Sequence, residues 1–149
     1  MPRAATERDF VDLVDLARAF VKETGLRLTF NEVRARETLW AAIHSPAVDF
    51  LVEEVDGVLA GVAMITYENA YYDEVCAYVE KLFVHREFRG LGAADLLVNG
   101  ALDTCRGRRA KIVFASATAG MGERVEKLYV RLFERHGFSV LGRIIARTL

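Results

Sequence analysis

The chain has 149 residues, 52% of them hydrophobic and 28% charged, enough apolar material for the core of one ordinary domain. A net charge of −1 offers none of the basic excess that binding to phosphate backbones selects, which argues against nucleic acid as a partner. Two cysteines, Cys76 and Cys105, without metal-like spacing argue against a disulfide framework and fit a reducing compartment.

The opening residues carry no apolar signal core. The longest apolar runs, such as "VLAGVAMI", are too short to cross a bilayer, so a cytoplasmic protein without membrane contact is expected. The segment "TERD", Thr6 to Asp9, reads as a capping box at a helix start. Phe10, Leu13, Val14, Ala17, Phe20 and Val21 follow at helical spacing, and Thr24-Gly25 ends the helix. A second helix is predicted from Asn31, carrying Val33, Leu39, Trp40 and Ile43 and stopping before Ser45-Pro46.

At Val48 the pattern changes. "VDFLVEEV" and "VLAGVAMITY" are strand-like, and Asp56-Gly57 between them is a two-residue hairpin signal. The loop "ENAYYD" leads to a third strand, "EVCAYVEKLFV". A helix is predicted from Gly92 to Cys105 with Leu96, Leu97, Ala101 and Leu102 on one face. "AKIVFASA" reads as a strand. "ERVEKLYVRLFERH" reads as a helix striped by Val125, Leu128, Tyr129, Leu132 and Phe133, with Gly137 as its stop. The tail "FSVLGRIIARTL" reads as one or two strands. A strand, helix and strand at this spacing imply a parallel crossover, so the fold class is mixed α/β around a central sheet.

The segment with the clearest chemistry is "HREFRGLGAADLL". Arg89-Gly90-Leu91-Gly92-Ala93-Ala94 leaves a strand and enters a helix. Unpaired amides at a helix N-terminus attract phosphate, and glycine lets a backbone approach closely. By itself the pattern leaves two readings open, a phosphate cradle or a turn that needs two glycines.

Together with "VEKLFV" before it and "LYVRLFERHGF" in the last helix, this stretch resembles the GNAT superfamily, the acyl-CoA N-acyltransferases. The resemblance spans nearly the whole chain and implies a single domain over residues 1–149. It implies a mostly antiparallel sheet of six to seven strands with a splayed parallel pair, flanked by about four helices. It also implies acetyl-CoA as co-substrate and no metal. By position, Leu82, Phe83 and Val84 would line the pantetheine arm, and Arg89, Gly90, Leu91, Gly92, Ala93 and Ala94 the pyrophosphate. A dinucleotide-binding sheet fits less well, because the loop follows an antiparallel meander and not a first strand.

Amine acetylation needs a proton acceptor for the amine, a donor for the developing oxyanion and help for the leaving thiolate. Glu80, on the strand before the loop, is the candidate base, by resemblance to polyamine-type acetyltransferases. The competing reading is a strand carboxylate paired with Lys81 or an arginine. Glu74 is the reserve. The family's tyrosine beside the thiol falls here on Phe133, which cannot donate a proton. Tyr129, one turn earlier, is the substitute candidate, or else a core residue of the helix stripe.

Tyr67, Tyr71, Tyr72 and Tyr78 could wall a pocket for a cationic amine or be ordinary aromatics. Arg106, Arg108, Arg109 and Lys111 either meet the adenosine phosphate or complement the helix dipole. His44, His85 and His136 form no metal or triad pattern, and Cys76 reads as a small buried hydrophobe. The expected protein is an acetyl-CoA-dependent N-acetyltransferase acting on a small-molecule or protein amine, with a non-catalytic acyl-CoA-binding module as the alternative. A homodimer through C-terminal edge strands is a further expectation.

Overall fold

The computed structural model of the protein describes residues 1–116 and 121–142. At its start, Arg3–Ala4 forms a short strand, β1, which the sequence pattern does not reveal. The Asp9 carboxylate accepts from the Thr6 backbone N–H at 2.7 Å and its hydroxyl at 3.1 Å, closing the predicted helix start. A 3₁₀ turn, Glu7–Asp9, runs into α1, Phe10–Glu23. The Asn31 side chain accepts from the Arg34 amide at 3.0 Å and caps α2, Glu32–His44.

Strands β2 (Val48–Val55) and β3 (Val58–Glu68) join through Asp56 and Gly57, both at positive φ (52° and 77°), as a tight hairpin requires. β4 is Val75–Val84, α3 is Ala93–Gly107, β5 is Ala110–Ala115 and α4 is Glu123–Arg135. The sheet order is β1-β2-β3-β4-β5, antiparallel except for the parallel pair β4 and β5.

Among the described residues the sheet has five strands, not the expected six to seven. The segment Phe138–Gly142 is not a strand. The Phe138 amide donates to the Phe133 carbonyl at 3.1 Å, and that of Gly137 to Glu134 at 3.0 Å, with Gly137 at φ 86°. This closure of α4, a Schellman turn, takes Phe138 out of any ladder. The rest of the predicted last strand lies outside the described residues.

Period-two alternation divides the sheet's side chains between two layers. Leu51, Ala63, Ile65, Ala77 and Val79 pack with Leu97, Ala101 and Cys105 of α3. Phe50, Val52, Val62 and Phe83 turn to the other face and pack with Leu13 and Leu16 of α1 and Ala42 of α2. α4 docks beside α3, burying Leu132 and Phe133 against Val98. The helix stripes differ from expectation at their margins: Leu96, Leu128, Val33 and Trp40 are exposed. No helix among the described residues is long and apolar enough to cross a membrane.

Candidate active site

The central feature is a fork in the sheet. β4 and β5 pair from Val75↔Ala110 to Val79↔Ala115, where β5 ends. Beyond Val79, β4 continues to Val84 with β3 on one side and, among the described residues, no strand on the other. A bulge marks the parting. Met64 pairs with Lys81 and Ile65 with Val79, so Glu80 is the extra residue. Such a bulge bends the strand and re-aims a side chain.

Strand carbonyls without a ladder partner must be satisfied in another way. At the fork, side chains do it. The Tyr129 hydroxyl of α4 donates to the Leu82 carbonyl at 2.8 Å, and Arg89 Nε donates to the Val84 carbonyl at 2.9 Å. Phe83 is different. Its carbonyl lies toward β3, 2.7 Å from where a Cβ on Gly61 would stand. Of the three residues expected to line an extended ligand, Leu82 and Val84 therefore present backbone to the open edge, while Phe83 anchors the sheet.

From the fork the chain passes through a 3₁₀ turn, Arg86–Phe88, into the glycine loop. Gly90 and Gly92 sit at φ 85° and 86°, the left-handed region that glycine enters without strain. No atom lies within 4 Å of an added Cβ at either, so the space over both is open. Gly92 caps α3, and its carbonyl accepts from Leu96 at 3.1 Å. The amides of Ala93, Ala94 and Asp95 lie in the first turn, where a helix offers no internal acceptor. An open glycine loop leading into free helix amides fits a diphosphate.

Arg89 does not extend over this cradle. Its Nη2 donates to Glu23 of α1 at 2.6 Å, and its guanidinium lies 5.6 Å from the Phe83 ring centre. Arg89 thus brackets loop, β4 and α1 together. The acidic Asp95 in the first turn of α3 is offset by α4: Arg135 reaches it at 2.9 and 3.1 Å and His136 Nε2 at 2.9 Å. Burial alone would raise the Asp95 pKa, but the bonds from His136 and Arg135 outweigh it and the carboxyl is held below its usual range.

Glu80 is exposed and accepts from the Thr66 hydroxyl at 3.0 Å. Among the described residues it forms no ion pair with Lys81 or any arginine. Thr66, on the neighbouring strand and paired with Tyr78, carries no sequence signal for this role, since only the strand pairing brings it near the bulge. Glu74 is exposed just before β4. Burial pushes the Tyr129 phenol up to about 12. Phe133 is buried, its ring 5.1 Å from that of Phe138. A cleft of about 1080 Å³ runs from Glu80 and the end of β5 along α4.

The remaining candidates scatter. Tyr78 stacks on Phe114 at 5.1 Å beside the cleft, and Tyr71 and Tyr72 are exposed in the loop. Tyr67 belongs elsewhere: its hydroxyl donates to Asp49 at 2.6 Å, with Arg108 over its ring. Arg108 is itself bound to Asp49 at 2.9 and 3.1 Å, and Arg106 to Asp103 at 2.5 Å, so both serve the fold. His44 meets Glu7 at 2.8 Å, far along the chain from the loop. Cys76 and Cys105 are buried and free. Among the described residues no three His, Cys, Asp or Glu side chains group to hold a metal ion.

The stretch that holds β4, the glycine loop and α3 lies within the match to a family model. The model of the acetyltransferase (GNAT) family aligns with residues 13–138. The chain belongs to the GNAT acetyltransferase family. No curated protein sequence matches it. Solved GNAT-like structures share its fold at low identity. An aminoglycoside N-acetyltransferase in complex with CoA superimposes with a TM-score of 0.79 at 13% identity, covering 100% of this chain and 93% of that one. A ribosomal-protein-alanine N-acetyltransferase from Brucella melitensis biovar Abortus 2308 gives 0.72 at 18% identity, covering 99% of each chain. A transcriptional regulator from Bacillus halodurans C-125 gives 0.78 at 17% identity, covering 100% of this chain and 99% of that one. At such identities these likenesses carry the fold of this GNAT protein and not its substrate.

Proposed function

We propose that the protein is a single-domain N-acetyltransferase that uses acetyl-CoA and a primary amine. The observation that carries this reading is the edge of β4 left without a strand partner among the described residues, leading through one 3₁₀ turn into the open Gly90–Gly92 loop at the start of α3. The backbone at Leu82 and Val84 would hold the pantetheine arm. The loop backbone and the amides of Ala93 and Ala94 would hold the diphosphate. Arg89 keeps these two parts in register through Val84 and Glu23. The CoA complex of the aminoglycoside enzyme with the same fold supports this assignment.

Acetyl-CoA, when bound, supplies an activated carbonyl and a thiolate leaving group. Glu80 receives the proton that the ammonium must lose before its nitrogen can attack. Its carboxylate is exposed to the cleft, is oriented by Thr66 and, among the described residues, is not paired with a cation. In a strand, the N–H and C=O of one residue point to the same edge. The Leu82 N–H is therefore directed into the fork as a donor for developing negative charge. The acceptor is a small-molecule or protein amine, as in the aminoglycoside and ribosomal-protein acetyltransferases that share the fold.

The assay is coenzyme A release from acetyl-CoA across a panel of amines. Turnover is expected for the native protein. Glu80→Gln should lower kcat by roughly 100-fold, the usual scale for a positioned base, without changing the affinity for coenzyme A. Equal turnover in the variant removes Glu80 from the mechanism. Phe133, buried where a proton donor was expected, favours a second reading, a non-catalytic acyl-CoA-binding module. Tight binding with no turnover of any amine would select it.

A further inference from the structure

Accepting the fork as the acyl-CoA site, we infer that Tyr129 sets the affinity for the acyl carrier. In the free protein its hydroxyl holds the hydrogen-bond position on Leu82 that an amide arm lying along β4 takes over.

The two caps on the open edge of β4 are not equivalent. Arg89 comes from the adjoining loop. It is fixed on three sides, by the Val84 carbonyl, the Glu23 carboxylate and the Phe83 ring. Tyr129 comes from α4, and among the described residues its hydroxyl has one hydrogen bond, to Leu82 at 2.8 Å. The ring packs in the cluster between α3 and α4. The hydroxyl meets the Leu82 carbonyl on the edge of β4 that a partner strand would take. A bound secondary amide offers Leu82 the same chemistry as the phenol, one N–H at hydrogen-bond distance. On this inference the two donors compete for the side of the Leu82 carbonyl that faces the fork, and the hydroxyl turns away when the arm settles.

The same geometry argues against Tyr129 as the acid that protonates the thiolate. Its proton is committed to a backbone carbonyl, and burial raises its pKa to about 12, which makes it a weaker acid. A hydroxyl that stays protonated across neutral pH is well suited to cap a carbonyl. Capping keeps the fork from presenting an unsatisfied acceptor while it is empty.

The test compares coenzyme A with adenosine 3′,5′-bisphosphate, which has phosphates but no amide arm. Both are titrated calorimetrically into the native protein and Tyr129→Phe. The variant should bind coenzyme A about three- to tenfold more tightly, the scale of one hydrogen bond no longer displaced, with bisphosphate affinity unchanged. Tyr129→Leu, which also lacks the hydroxyl, should move coenzyme A affinity in the same direction. Unchanged or weaker coenzyme A binding by Tyr129→Phe overturns the inference, as does an equal shift for both ligands. So does a loss of kcat at constant affinity, which would mark Tyr129 as a proton donor. Failure of the native protein to bind either ligand would instead overturn the fork-and-loop site, and the inference with it.

Discussion

Gly61 shows how one missing side chain permits the site. A Cβ there would stand 2.7 Å from the Phe83 carbonyl and 2.9 Å from a Val84 methyl, both on β4 at the fork. Neither can yield cheaply, because Phe83 and Val84 are packed into the two layers of the core. Gly61→Ala should therefore cost about 1–3 kcal/mol, the range for overpacking, read as a lower urea midpoint at constant slope. It should also weaken coenzyme A binding, since the strand that must shift is the one that carries Leu82. Glu80 and Thr66 make the complementary point. The glutamate was recognisable as a candidate from its place before the glycine loop. Its partner was not, because Thr66 pairs with Tyr78 and reaches Glu80 only across the β3–β4 pairing beside the bulge, which local sequence does not show.

Between β4 and α3, the glycine loop places its requirement on backbone conformation. Gly90 and Gly92 are surrounded by open space, so substitution meets left-handed strain and no clash. Gly92→Asp adds that strain, about 1–2 kcal/mol, and places a carboxylate beside the free amides of α3. Coenzyme A affinity should fall by at least about tenfold. Differential scanning fluorimetry without ligand should show only the modest stability loss, and an unaffected affinity would exclude the loop from phosphate binding. At the far end of α4, Phe133 has its own structural role. Its carbonyl accepts from Phe138, and the two rings meet edge-on at 5.1 Å, the apolar clasp of a Schellman turn. The missing hydroxyl at this position is thus accompanied by a tight closure of the helix.

Across the whole molecule, a buried carboxylate, Asp9, ties β1 to the start of α1 beside the β1–β2 pairing. Asp9 accepts both arms of the Arg3 guanidinium, at 2.7 and 2.9 Å, and two bonds from Thr6. The Arg3 bond is the largest influence, and it overcomes burial to bring the Asp9 pKa from 3.8 down to about 2. A depressed carboxylate stabilises the fold fully above the unfolded value and loses that contribution as pH falls through the folded one. The difference in unfolding free energy between native protein and Asp9→Asn should thus be constant above pH 3.8 and shrink toward about pH 2. The shift corresponds to about 2 kcal/mol. Urea titrations over this range give the measurement, and a difference independent of pH would refute the linkage.

What the sequence determined by itself was the order of elements from α1 to α4 and the loop. Helical spacing placed α1 and α4, positive-φ glycines marked the hairpin and the α3 entry, and the motif led to the GNAT family. These are local properties, set by periods of 3.6 and 2 and by the few residues that tolerate left-handed backbone. Only the tertiary structure decided what the motif residues touch. Arg89 turned from the expected phosphate to Glu23, Tyr129 reached the Leu82 carbonyl, and Tyr67 left the acceptor side for Asp49. Those partners are separated along the chain: Tyr129 meets Leu82 where β4 parts from β5, and Tyr67 meets Asp49 across the β2–β3 pairing. A carbonyl left without a ladder partner draws in whichever donor the packing brings near, and that choice appears nowhere in local sequence.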